Sequence, residues 1–437
     1  MRPSHPRRLA GLYLAERTRF GVKFGLDTIR ARVGEMGNPE RAFTTLLVSG
    51  TNGKGSVVAC VDAVLRASGL RTGRYTSPHL VRVNERIRVN GRDITDHDFE
   101  IAVRSVRAAA ERLVRRGTLT AHPTFFEALT AAAFVHFRRK HVDVAVLEVG
   151  LGARLDATNV ADPMASAIVS VALDHQVYLG RTLSSIAREK AGLMRRGRPT
   201  VVGPLPAVAL RAVRAQARRI GTRVVEAKRG SRVVAREDSD LVDVHSPSRS
   251  YEGVRPFPGA HQRDNLLVAV RLLEEARAAG LAVALDTVPS AISRAHWPGR
   301  LEWIDGDPPL LLDGAHNPAG AGALASHLGR DPYVLLFAVM NDKDVEGIAG
   351  ALFPRAAEIV LTRPRLPRAM VPATIARRVG ASARRAHREP SVYRALALAR
   401  RLARARGPET PVVVAGTLFL VGEVKGLLEK TRGPLAS

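Results

Sequence analysis

The sequence predicts an α/β protein whose sheets are mostly parallel and covered by helices on both faces. Short apolar runs of strand length alternate with helix-length runs over most of the chain, the rhythm of strand–helix–strand units. At 437 residues the chain is too long for one core, so it should divide into two or three domains. The alternation breaks at Trp297-Pro298-Gly299-Arg300 and then restarts. That break sets a boundary near residue 297, between a larger part, 1–296, and a smaller one, 297–437.

Taken in order, Phe24 to Val33 carries apolar residues at helical spacing and suggests a short helix. Thr44 to Val48 is a strand, and Gly55 to Ser68 a helix stopped by Gly69. Between them lies Gly50-Thr51-Asn52-Gly53-Lys54-Gly55-Ser56. Its glycines let the backbone turn so that several N–H groups face one anion, the helix adds the positive end of its dipole, and Lys54 adds a full charge. The spacing departs from the standard phosphate-loop pattern, with two residues between Gly50 and Gly53 and a glycine between Lys54 and Ser56. Thr72 to Thr76 reads as a strand, Arg82 to Val89 as a two-faced strand closed by an Asn90-Gly91 turn, and helices follow at 98–116 and 125–139. Thr124 and Glu127 match a capping box at the start of the second. Val142 to Val149 and Ser166 to Ala172 are buried strands, and 183–195 a helix. From Arg223 to Tyr251 short alternating segments suggest an antiparallel insertion or a sheet edge, before helices at 264–279 and 288–296. Past the break, strands are expected at 310–312, 333–339, 358–361 and 411–414, with helices between.

Ligands of parallel sheets gather at the carboxyl ends of strands. Ser77, Glu148 and His175 each lie at or just past the end of an expected strand. A hydroxyl, a carboxylate and an imidazole around bound phosphates suit Mg²⁺, which keeps few protein ligands. Taken singly, Glu148 also suits an arginine partner and His175 an ordinary loop. Lys190, on a helix, reads as a solvated charge, and His136 and His141 as structural. Asp313-Gly314-Ala315-His316-Asn317-Pro318 is either another binding loop or a plain turn with Asn317 capping and Pro318 at the first helical position.

Composition narrows the classes further. The formal charge is +26, but the arginines are spread along the chain and aromatics are only 5%, which argues against a nucleic-acid partner. No apolar run approaches the ~18 residues of a membrane span, and the basic N-terminus lacks an apolar core, so a cytoplasmic protein is expected. The single cysteine, Cys60, shares a helical face with Val57, Val61 and Val64 and reads as a core residue.

These motifs together resemble a known family. Ser49-Gly-Thr-Asn-Gly-Lys-Gly-Ser56, Thr76-Ser-Pro-His-Leu80, Thr124-Phe-Phe-Glu127, the run from Leu147 to Asn159, Asp174-His175, Glu189-Lys-Ala-Gly192, Pro298-Gly-Arg300 and Leu312 to Pro318 occur in the order found in folylpolyglutamate synthase and dihydrofolate synthase, a branch of the Mur ligase superfamily. The resemblance spans about Phe24 to Val424. It implies an N-terminal P-loop-type ATPase domain, a smaller C-terminal Rossmann-like glutamate ligase domain and an active site between them. It implies ATP, L-glutamate and either dihydropteroate or a folate as substrates, Mg²⁺ at two positions, and a monomer.

Residue by residue, the resemblance assigns Asn52, Gly53, Lys54, Gly55 and Ser56 to the ATP phosphates, with Asn265, Arg300 and Asp313 as further ATP contacts. Ser77, Glu148 and His175 would hold Mg²⁺. Lys190 matches a lysine that is carbamylated in the superfamily, and Lys54, Lys190 and His316 take the catalytic roles. Asp27, Arg30, Thr124, Phe126, Asp156 and Ala157 fall in segments that hold the pteroate part, and His316 lies on the glutamate side. Ala153 stands where glycine is usual, and Ala415-Gly-Thr-Leu-Phe419 replaces a Gly-Ser-Leu-Tyr type of run. Both departures touch substrate preference rather than reaction type.

Overall fold

The computed structural model describes residues 7–17 and 25–432; Phe24, at the start of the first expected helix, lies outside them. The chain forms two compact units. One comprises the described residues up to Ser77, Asn84–Pro256 and Gln262–His296; the other comprises Pro78–Val83, Phe257–His261 and the described residues from Trp297 onward.

The first unit is built on an eight-stranded sheet of β1 (Thr44–Ser49), β2 (Thr72–Tyr75), β3 (Ile87–Val89), β4 (Arg92–Asp93), β5 (Val144–Glu148), β6 (Ala165–Ile168), β7 (Thr200–Val202) and β8 (Val224–Glu226), in the spatial order 4-3-2-5-1-6-7-8. β1 lies parallel between β5, with Val48 beside Glu148, and β6, with Ser49 beside Ile168. From β1 the chain travels outward to β2, returns to fill the gap with β5, then crosses to β6 on the other side. The direction of winding therefore reverses beside β1, and such a switch point opens a crevice at the carboxyl ends of its strands.

Valine and leucine side chains bury β5 throughout and β1 from Thr45 onward. The helix after β1, Lys54–Ala67, is buried all round from Gly55 to Leu65. Asp62 inside it is satisfied by Thr72 Oγ1 at 2.6 Å and Arg66 Nε at 3.1 Å. Cys60 is buried, and burial pushes its thiol up to about 12, a core side chain as expected.

Local expectations fail where segments are short. Arg82 to Val89 is a turn of 3₁₀ helix (Val83–Arg86) followed by β3, not one strand. Asn84 and Arg86, which alternation would place on a solvated face, are buried. The strand expected over 166–172 ends at Ile168, and 169–172 leaves the sheet to run beside the glycine loop. The region 223–251 contains both alternatives: β8 extends the parallel edge, whereas β9 (Arg232–Ala235), β10 (Val242–His245) and β11 (Ser250–Val254) form a separate antiparallel sheet.

The second unit carries β12 (Glu302–Ile304), β13 (Leu310–Leu312), β14 (Tyr333–Phe337), β15 (Ala356–Arg363), β16 (His387–Ser391) and β17 (Val412–Ala415) in the order 12-13-17-14-15-16. Only β12 is antiparallel. Alternate side chains of these strands feed two apolar clusters, one on each face, as a sheet with helices on both sides requires.

Candidate active site

The glycine loop is held open from outside. Thr51 N–H donates to Ser170 O at 2.9 Å, Asn52 N–H to Ser170 Oγ at 2.9 Å, and Ser170 Oγ donates back to Asn52 O at 2.8 Å. Gly50 sits against Val169 and Ser170, where a Cβ would crowd both. Gly53 has φ +81°, and a Cβ there would overlap Asn265 Oδ1; only glycine satisfies both demands. Asn265 is fixed in turn by donating Nδ2 to Gln262 Oε1 at 2.8 Å. The helix Lys54–Ala67 has no side chain capping its N-terminus, so its first N–H groups point into the loop as an anion site. Ser56 is buried at this end, and Lys54 Nζ donates to Gly50 O at 3.0 Å and Thr51 O at 3.2 Å. Ser170, at the end of an apolar run, is a polar residue that its position could have flagged.

Glu148, buried at the end of β5, accepts Ser77 N–H at 3.0 Å. Two of the three residues expected around a divalent cation therefore meet. His175 caps a short helix in the left-handed region (φ 49°), its N–H donating to Asp174 Oδ1 at 2.8 Å. Among the described residues no three His, Cys, Asp or Glu side chains form a closed metal cluster. The donor set of one buried carboxylate and a neighbouring hydroxyl fits a hard cation that takes its remaining ligands from phosphate and water.

Lys190 overturns its reading as a solvated charge. It is 3% exposed, because the Glu189-Lys190-Ala191-Gly192 segment is clasped to the loop after β5. Arg154 N–H donates to Glu189 O at 3.0 Å, Arg154 pairs with Glu189 at 3.0 Å, and Asn159 Nδ2 donates to Gly192 O at 3.1 Å. Burial, reinforced by the positive charge of Lys54 and opposed by Asp174, pulls its amine down to about 7.

The predicted pteroate-side residues divide into two groups. Gly150 is overlain by the Phe126 ring and by Asp156 Oδ2, so these two converge on one spot. Asp156 accepts Leu151 N–H at 2.9 Å and Thr158 N–H at 3.0 Å, starting the turn at Ala157. Burial raises its carboxyl above the ordinary range, against those hydrogen bonds. Thr124 and Glu127 form the expected capping box. Asp27 and Arg30 instead point outward from the helix Asp27–Glu35, paired at 3.6 Å with side chains 96% and 61% exposed. The residue of that helix that reaches inward is Arg32, 1% exposed, bonded to Glu127 at 3.2 Å.

In the second unit, the loop after β13 is braced by Asp313, which accepts Leu301 N–H at 2.9 Å and Ala315 N–H at 2.8 Å. Its first bond holds Leu301 at φ 46°. Arg300 crosses Gly314, where a Cβ would overlap Nη1. His316 Nδ1 donates to Gly314 O at 2.8 Å, leaving Nε2 as the accepting nitrogen of the neutral ring. Asn317 caps the next helix and Pro318 opens it.

Strand, glycine loop and uncapped helix follow one another as in an α/β protein of the P-loop type. Two family models match the chain: the Mur ligase middle domain over residues 48–273 and the Mur ligase glutamate ligase domain over 299–418. A probable bifunctional folylpolyglutamate synthase/dihydropteroate synthase of Haloferax volcanii is 36% identical over 94% of this chain and 49% of its own length. The chain thus spans about half the length of the first curated relatives it matches. The dihydrofolate synthase/folylpolyglutamate synthase of Bacillus subtilis is 34% identical over 78% of this chain and 84% of its own. Among solved structures, a Mycobacterium tuberculosis folylpolyglutamate synthase complexed with ADP superposes with a TM-score of 0.89 at 30% identity, covering 96% of this chain and 98% of that one. A bifunctional folylpolyglutamate synthase/dihydrofolate synthase with Mn, AMPPNP and L-glutamate bound gives 0.83 at 28% identity, covering 98% and 100%. The chain belongs to the Mur ligase family, in its folylpolyglutamate and dihydrofolate synthase branch.

Proposed function

We propose that the protein ligates L-glutamate to dihydropteroate, to the glutamate tail of a folate, or to both, with ATP converted to ADP and phosphate. The observation that carries this reading is the uncapped N-terminus of Lys54–Ala67 beneath a loop whose glycines leave no room for side chains, in a chain whose relatives are folate ligases. A carboxylate is a poor electrophile. It first attacks the γ-phosphoryl of ATP, and the resulting acyl phosphate is then attacked by the neutral α-amine of glutamate, expelling phosphate. Both partners of the first step are anions. The loop N–H groups, with Asn52, Gly53, Gly55 and Ser56, and the Lys54 ammonium offset their repulsion and stabilise charge moving to the leaving ADP. Asn265, Arg300 and Asp313 contact the nucleotide in this reading. Ser77, Glu148 and His175 would hold Mg²⁺, with a second ion near Lys190; bound there, Mg²⁺ supplies charge neutralisation to the phosphates.

The lowered pKa of Lys190 suits carbamylation, because CO₂ reacts only with a neutral amine. Thr124, Phe126, Asp156 and Ala157 border the pteroate part in this reading, and His316 the glutamate, whereas Asp27 and Arg30 face outward. Catalysis is by positioning and electrostatics, without a covalent enzyme intermediate.

ADP release measured with dihydropteroate plus glutamate, with tetrahydrofolate plus glutamate, and with nucleic acid tests the reading. Stimulation is expected from at least one folate-type acceptor, only when glutamate is present. Dependence on neither acceptor would refute it. Lys54→Ala should lower kcat by at least about a hundredfold while leaving the unfolding midpoint unchanged.

A further inference from the structure

In the second unit, neighbouring parallel strands release their loops at one end of the sheet: 313–317 after β13, 416–417 after β17, 338–344 after β14 and 364–371 after β15. These loops are tied to each other. Gly416 N–H donates to Ala315 O at 2.9 Å, Asn341 N–H to Arg368 O at 3.0 Å, and Met370 N–H to Val339 O at 2.9 Å. Arg368 projects from the last of them, its guanidinium carbon 5.1 Å from the centroid of the Phe419 ring. Leu418, the neighbour of Phe419, lies against Gly314, so the Arg368–Phe419 pair adjoins the loop that carries His316.

The arginines of this loop and of the strand end before it differ in use. Arg365 pairs with Glu423 at 3.7 Å, and Arg363 donates to Pro367 O at 3.3 Å. Arg368 is exposed, and no carboxylate among the described residues lies within ion-pair distance of it. Its side-chain partner among the described residues is the face of the Phe419 ring. Such stacking holds a guanidinium flat and leaves its N–H edge outward, a fork that matches a carboxylate.

We propose that Arg368, seated on Phe419, is a binding residue for a substrate carboxylate in the reaction proposed above, on which this inference rests. Besides the carboxylate that is activated, that reaction offers two sources of one chemistry: the carboxylates of the incoming glutamate and those of the glutamyl tail of a folate acceptor. The stacked position also gives the departure at Phe419 a role, since a bare ring face is a sufficient platform.

Steady-state ADP release is compared for the wild-type protein, Arg368→Gln, Arg368→Lys, Phe419→Leu and Phe419→Tyr. Glutamate is varied at saturating acceptor; dihydropteroate, which has no glutamyl tail, and a tail-bearing tetrahydrofolate are then each varied at saturating glutamate. Arg368→Gln should raise one KM by about tenfold or more with kcat within about twofold. Arg368→Lys should recover part of the loss, Phe419→Leu should reproduce part of it, and Phe419→Tyr should resemble wild type. A shift in the KM of glutamate identifies the incoming amino acid; a shift confined to the tail-bearing acceptor identifies the tail. Unchanged KM values in Arg368→Gln overturn the inference, as does a loss of kcat alone with a lowered melting midpoint. A wild-type protein without glutamate-dependent ADP release would instead overturn the reading it rests on.

Discussion

Lys190 shows what one residue can contribute to site and stability at once. Unfolded, its amine titrates near the ordinary ~10.4; folded, it titrates at about 7. Between these values the unfolded chain binds a proton that the folded chain does not, so its contribution to stability rises with pH from about 7 to about 10. Below about 7 the fold carries the full cost of a buried cation. Urea unfolding of Lys190→Met should therefore show a gain of about 2 kcal/mol near pH 6.5, narrowing as the pH approaches 10. A gain independent of pH would contradict this account. The same variant should lose ligase activity, a trade of stability against function. Sequence alone placed Lys190 on a helix but could not see its burial. Which face of a short helix is covered depends on the Arg154–Asn159 loop folding over it, through contacts 35 and 33 residues apart in the chain.

At the scale of elements, the helix Phe125–Arg139 was legible to its boundaries, because a capping box marks its start and an apolar run its length. The partner of that box was not legible. Glu127 serves twice: its carboxylate accepts Thr124 N–H at 2.8 Å and also meets Arg32 and Thr28 from the helix Asp27–Glu35. Removing the cap by Thr124→Ala should cost about 1 kcal/mol. Glu127→Ala should cost about 3–5 kcal/mol, because it leaves the Arg32 guanidinium buried and unpaired. Denaturant midpoints of the two variants give the comparison directly, and equal losses would mean that the ion pair adds nothing beyond the cap. Two strands that escaped the sequence reading share a cause. β7 and β12 are each three residues long, too short for any periodicity, and they exist because a neighbouring strand presents free backbone groups to them. The stretch before β3 misled for the opposite reason. Its alternation is real in the sequence, but Asn84 is buried and donates Nδ2 to Ile94 O at 2.8 Å.

For the whole molecule, the α/β class and both parallel sheets follow from the rhythm of apolar runs, whereas the excess of positive charge leaves no trace in the topology. With 67 basic and 41 acidic residues the net charge is +26, and self-repulsion opposes compactness. Exposed pairs such as Arg378–Glu346 and Arg107–Glu111 offset it only slightly. Raising the salt from about 0.02 to about 0.3 M shortens the screening length several-fold and should raise the melting midpoint by a few degrees. A midpoint that falls with salt would mean that the paired arginines outweigh the unpaired ones. No helix among the described residues is long and apolar enough to cross a membrane.

The second unit includes Pro78–Val83, and this has a consequence for how the molecule is made. Leu80 packs against Gly299 and its carbonyl lies against Gly422, yet it leaves the ribosome about 220 residues before the first of them. At ordinary rates of synthesis that interval lasts roughly ten to forty seconds. During it, Leu80 has no finished partner to meet, so a gene fragment starting at residue 297 would encode every strand of the second sheet and still lack a side chain that closes it.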